Sequence, residues 1–216
     1  MASRKSAARK TKVGKPTSAG TLMDRIIDAG LDEAAAVGWR GLAMDAVASR
    51  AALDLGEVLL KVPGKACLLR GFLDRIDART LAPVKGIDPK DTPRDRLFEI
   101  LMRRFDALNE KRDGAKAVIT GVARDPASAA AGLCRLQRSF VAMLAAAGIS
   151  TGGLTGLARL QGLKLVAAYT LRAWMTDDSA DLAKTMAALD RALDRAEKLA
   201  GMMTLRRRTK DDAAAA

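Results

Sequence analysis

Apolar residues recur every three to four positions along most of this 216-residue chain, the spacing of one face of an α-helix. From about Leu22 to Val37 the stripe Ile26, Ile27, Leu31, Ala34 and Ala35 predicts a first helix. Gly38 closes it in the manner of a left-handed C-terminal cap, and Trp39 is expected to pack back onto it. Met44, Val47 and Ala48 mark the inward side of a second short helix from about Leu42 to Ala51. After a brief turn through Ala52 and Leu53, Asp54 serves as N-cap for a third helix ending near Val62. Pro63-Gly64 breaks the chain, and Lys65 opens a fourth helix carrying Leu68, Leu69, Phe72, Leu73 and Ile76.

Three prolines and a glycine between Pro83 and Pro93 set the clearest boundary. Thr92-Pro93 then reads as a helix start, a cap followed by proline at the first helical position. Leu97, Leu101, Phe105 and Leu108 continue inward at helical spacing. Later breaks at Asp113-Gly114, Asp125-Pro126, Gly148 to Gly153 and Asp177 to Ser179 bring the total to about nine helices. No strand pattern survives, so the fold class is all-α. The helix from about Leu154 to Met175 is apolar around much of its girth, with Gly156, Gly162, Ala167, Ala168 and Ala173 allowing close approach. The last helix shows Leu182, Met186, Leu189, Leu193, Ala196, Ala200 and Met203 at alternating four- and three-residue steps. These two closing helices predict a four-helix seam of a homodimer, with Leu182, Met186, Leu189, Leu193 and Ala200 at the interface. A bundle closed within one chain is the alternative.

Aromatic residues make up only 3% of a chain that is 49% apolar, so the core must be built from Ala, Leu, Val and Met, a mix that favours helices. The net charge of +12 sits mainly in the tails. Residues 1–20 hold six cations and no acid, an arm expected to be disordered; residues 205–216, with Arg206, Arg207 and Arg208, are expected to form a disordered tail. Basic arms of this kind suit polyanions, either nucleic acid or an anionic membrane surface. There is no histidine, and Cys67 and Cys134 stand isolated in apolar runs, where small buried thiols are expected. No metal cluster, no cofactor and no disulfide framework is implied. With no leader-like apolar segment, the sequence suggests a soluble cytoplasmic protein. No nucleophile–base pairing or phosphate-cradling glycine loop points to an enzyme.

The string IIDAGLDEAAAVGWRGLAMDAVASRAALDLGEVLLKVPGKACLL resembles the N-terminal module of TetR-family transcriptional repressors. Ile26-Ile27-Asp28-Ala29 is similar to the start of the family's first helix, and Gly38-Trp39 to the Gly-aromatic that closes it. Val47-Ala48 fits the second helix, and Pro63-Gly64-Lys65 with Leu68-Leu69 resembles the entry to the fourth. The resemblance implies a three-helix helix-turn-helix module with a linking fourth helix over residues 21–82, and a ligand-binding and dimerisation bundle over 92–204. It also implies a homodimeric regulator that binds double-stranded DNA and responds to a small apolar ligand. Carried onto this chain, DNA contacts fall to Asp54, Glu57, Lys61 and Lys65, with Arg4, Lys5, Arg9 and Lys10 of the arm on backbone or minor groove. A ligand cavity would be lined by Met102, Phe105, Phe140, Met143, Tyr169 and Trp174. The third helix departs from the family pattern, which prefers an aromatic at the position of Leu59 and Phe at that of Val62.

Residues 21–82 hold eight cations and nine acids, so the module itself is slightly acidic. Two readings follow, because phosphate neutralisation dominates protein–DNA affinity. Either the basic arm supplies the missing attraction, or the module keeps the fold without DNA binding. The second reading resembles lipid-binding accessory proteins of ubiquinone biosynthesis, which hold isoprenoid lipid in a TetR-like fold and associate with membranes.

Overall fold

In the computed structural model of the protein, residues 21–82 and 90–214 are described, the last thirteen as backbone only. Thr21 opens the first helix, α1 (Leu22–Gly41), with a reciprocal cap. The Asp24 N–H donates to Thr21 Oγ1 at 3.2 Å, and the Thr21 N–H donates to Asp24 Oδ2 at 3.1 Å. Gly38, at φ 76° and ψ 161°, interrupts the helix, a conformation open to glycine and costly for other residues. The turn sends Trp39 into the core, as expected. Ile26, Ile27, Leu31 and Ala34 are buried, whereas Ala35 is exposed. It lies on the solvent edge of the stripe, and Gly30 faces inward instead, close against Leu68.

α2 (Met44–Ala51), α3 (Leu55–Lys61) and α4 (Lys65–Leu81) complete the module, with Val47, Val58 and Val62 fully buried among them. The body follows as α5 (Pro93–Asn109), α6 (Arg112–Val122), α7 (Pro126–Ala146), α8 (Gly153–Met175) and α9 (Ala183–Ala214), nine helices among the described residues. Thr92 caps α5, accepting from the Asp95 N–H at 3.1 Å. The break expected at Asp113-Gly114 falls earlier, between α5 and α6, and Gly114 is part of α6. Its absent side chain serves packing: a Cβ there would lie 2.5 Å from the Leu31 carbonyl oxygen. Two turns on, a Cβ at Gly121 would lie 2.2 Å from Trp39 Cβ. α6 therefore rests directly on α1 and ties the module to the body.

A buried polar cluster joins α4, α5 and α7. Arg104 donates to Asp77 Oδ1 at 2.7 Å and to Ser139 Oγ at 3.0 Å. Arg135 approaches Asp77 Oδ2 at 2.9 Å from the other side. Burial pulls the Arg104 guanidinium below its ordinary pKa, and the Asp77 carboxylate opposes that shift.

The expected dimer seam on α9 is corrected. Leu182, Leu189 and Leu193 are buried within the chain, against α8 and α5, so they cannot meet a second copy as the protein stands. Arg94 of α5 clasps the same helix, donating to Asp190 at 2.7 Å and to Asp194 at 2.5 Å. Asp194 thus turns to α5 rather than pairing with Lys198 along its own helix. Met186 and Ala200 do lie exposed. The uncovered apolar surface belongs instead to α8, where Leu154 is 82% and Leu165 72% exposed, with Leu157 and Tyr169 beside them. α9 also continues to Ala214 through most of the segment expected as a disordered tail. Leu205, the arginines, Lys210 and the alanines are good helix formers, which explains the extension.

Candidate nucleic-acid interface

α2 and α3 are joined through Ala52, whose left-handed backbone (φ 52°, ψ 49°) ends α2. The Leu53 N–H donates to the Ala48 carbonyl at 3.1 Å, closing the turn. Asp54 then accepts from the Gly56 N–H at 2.8 Å and starts α3. Asp54 is therefore a helix cap, and its Oδ1 is already occupied by backbone. Only Val58 of the segment 54–61 is buried; Leu55, Gly56, Glu57, Leu59, Leu60 and Lys61 all stand outward. A helix anchored by one valine and otherwise presented to solvent is available for an external surface.

Most of the module's cations serve its own assembly. Arg25 donates to the Ala51 carbonyl at 2.8 Å, satisfying the end of α2. Arg50 pairs with Glu33, and Arg75 donates to Asp28 at 2.7 Å. Arg79 reaches across to Glu110 of the body. Lys65, expected on phosphate, is turned inward: its Nζ donates to the Arg40 carbonyl at 3.0 Å and the Trp39 carbonyl at 3.4 Å. The carbonyl end of α1 attracts the ammonium because those oxygens lack helical donors. Lys61 remains exposed and, like Glu57 and Arg40, has no ion pair among the described residues.

Beside Lys65 lies a cleft of about 290 Å³, lined by Trp39, Arg40, Arg124, Asp125, Pro126 and Ser128. Arg40 and Arg124 carry no signal in the sequence that marks them for this edge. Arg124 belongs to the body in sequence and arrives here only because α6 carries it alongside α1. Arg4, Lys5, Arg9 and Lys10 lie outside the described residues.

Five of the six residues expected to line one ligand cavity fall in a single buried core cluster, and Tyr169 alone does not. Met102, Phe105, Phe140 and Met143 are buried in the common core. Trp174 belongs to the same core and lies under Arg112, whose guanidinium is 5.2 Å from the ring. Tyr169 is exposed on the outer face of α8, one position from buried Thr170, because that helix hides only one side within the chain. A small apolar void of about 10 Å³ lies elsewhere, among Ile27, Leu31, Trp39, Leu68 and Val118. Cys67 and Cys134 are both exposed, against expectation: each occupies the solvent-facing side of its helix despite apolar neighbours in sequence. Among the described residues no group of three metal-ligating side chains converges.

No family profile matches the chain, and no curated protein matches it. Solved structures do share its architecture. A TetR transcriptional regulator from Nitrosomonas europaea is similar at a TM-score of 0.69 and 23% identity, over 82% of this chain and 99% of that one. A TetR transcriptional regulator from Rhodococcus sp. RHA1 gives 0.60 and 20% identity, over 81% and 94%. A TetR-family regulator from Streptomyces coelicolor gives 0.59 and 17%, over 87% and 85%. The fold is all-α and TetR-like.

Proposed function

We propose that the chain is a homodimeric, DNA-binding transcriptional regulator whose α3 enters the major groove of duplex DNA. The observation that carries this is the outward stance of residues 54–61 on a helix-turn-helix scaffold. The similar solved structures, which are transcriptional regulators, support the same reading. The lipid-binding alternative draws no support from those structures. Among the described residues no helix is long and apolar enough to cross a membrane.

Cations for the DNA backbone come from Lys61, from Arg40 and Arg124 at the neighbouring cleft, and from Arg4, Lys5, Arg9 and Lys10 of the arm. A second copy covers the outer face of α8 at Leu154, Leu157, Leu165 and Tyr169, joined by Met186. Response to a small apolar ligand would require the core around Met102, Phe105, Phe140 and Met143 to open between α4, α5 and α7. The Asp77–Arg104–Ser139 cluster borders that wall and would supply a polar partner.

Fluorescence anisotropy with mixed-sequence duplex DNA tests the central reading. Affinity should fall steeply with salt, and deleting residues 1–20 should flatten the log–log slope by about 0.9 for each phosphate the arm neutralises. No binding at low salt would overturn the reading. A slope unchanged by the deletion would remove the arm from the interface.

A further inference from the structure

The outward surface of α3 has an unusual chemical inventory for a base reader. On a helix, residues four apart share a face, and Gly56 and Leu60 form the crest on the side away from buried Val58. Leu60 is 86% exposed. Glu57 flanks that crest on one side and Leu59 on the other. Lys61 is the one side-chain donor from Leu55 to Lys61; no Arg, Asn, Gln, Ser or Thr is present.

The base edges of the major groove constrain what such a surface can read. Guanine presents two acceptors and calls for a paired donor such as Arg, while adenine's donor and acceptor suit Asn or Gln. Thymine presents a methyl group, and cytosine presents an amino donor that a carboxylate accepts. We infer that α3 reads pyrimidines: Leu60, with Leu59, packs on thymine methyl groups, and Glu57 accepts from a cytosine amino group. Asp54 takes no part, because its carboxylate holds the Gly56 N–H. The absent side chain at Gly56 lets the crest approach the groove floor closely. Exposed Leu55 extends the leucine surface, and the cations stand at its C-terminal end. Lys61 ends the helix, and Lys65 opens the cleft that Arg40 and Arg124 also line. An apolar crest with a positive margin matches a methyl-bearing floor between phosphate walls, so duplex DNA is its occupant.

This inference rests on the DNA-binding reading, and the experiment separates their failures. Full-length protein is used to select duplexes from a random pool, and the enriched half-site is resynthesised with deoxyuridine in place of thymidine. Removing one methyl that the helix touches should weaken binding about fourfold, the factor expected for one methylene-sized group returned to water. Leu60→Ala, at an exposed position that leaves the core intact, should discriminate less between the two duplexes, Leu59 keeping the remainder. Reselection with Glu57→Gln should move one position from cytosine to adenine. Equal affinity of the normal protein for both duplexes, or full methyl sensitivity retained in Leu60→Ala, would overturn the inference and leave DNA binding standing. An unchanged base at every position after reselection would overturn the role of Glu57. A pool with no enriched sequence would defeat both readings and leave the leucine face to a protein partner.

Discussion

Asp177 lies fully buried between α8 and α9 and collects four donors. The backbone N–H and hydroxyl of Thr185 donate to one oxygen at 2.8 and 2.7 Å. The Ser179 N–H donates to the other at 3.1 Å, joined by its hydroxyl. Burial raises the pKa, but these hydrogen bonds outweigh it and hold the carboxyl well below its ordinary value. A depressed folded pKa means the unfolded chain binds a proton first as pH falls. The stabilisation is therefore complete above about pH 5 and diminishes progressively as the medium acidifies below the unfolded value. Asp177→Asn should cost roughly 1–3 kcal/mol at pH 7, because its amide nitrogen would leave two buried donors without an acceptor. Urea titrations should find the gap between the two proteins narrowing below about pH 4; a constant gap would refute the assignment. Asp177 to Ser179 was readable as a chain break. Its capping role was not, because Thr185 becomes a donor only once α9 folds back.

At the scale of elements, caps and prolines made most helix starts legible. Thr92-Pro93 opens α5 and Pro126 opens α7 where composition put them. Glycine was the less reliable sign. Gly114 reads as a breaker until α1 is laid across it, since close approach between distant helices leaves no trace in local pattern. The same holds for Lys65, which reads as a phosphate ligand and instead caps α1. The Asp77–Arg104 pair was equally invisible, as ion pairs across three helices have no fixed spacing in sequence. Asp77→Ala should cost roughly 3–5 kcal/mol in chemical denaturation, because Arg104 would keep its charge in a buried place. A cost below about 1 kcal/mol, the scale of an exposed pair, would show the cluster to be solvated.

For the whole molecule, periodicity announced that α9 must bury a stripe without saying against what. Leu182, Leu189 and Leu193 find their cover inside the chain. α8, apolar on more than one side, carries the surplus outward. Leu165→Asp should therefore yield a folded monomer by light scattering with helical content intact. Leu189→Asp should unfold the chain, since a charge would enter its core. A dimer that survives Leu165→Asp would place the interface elsewhere.

The bare-backbone seating of α6 on α1 has a mechanical meaning. At Gly114 and Gly121 there is no flexible side chain to absorb a displacement by changing rotamer, and packed interiors compress little. A tilt imposed on α6 from within the bundle must either carry α1 along or open a void. The joint works like a keyed shaft, so substitutions that insert slack there should weaken the mechanical coupling between the two halves.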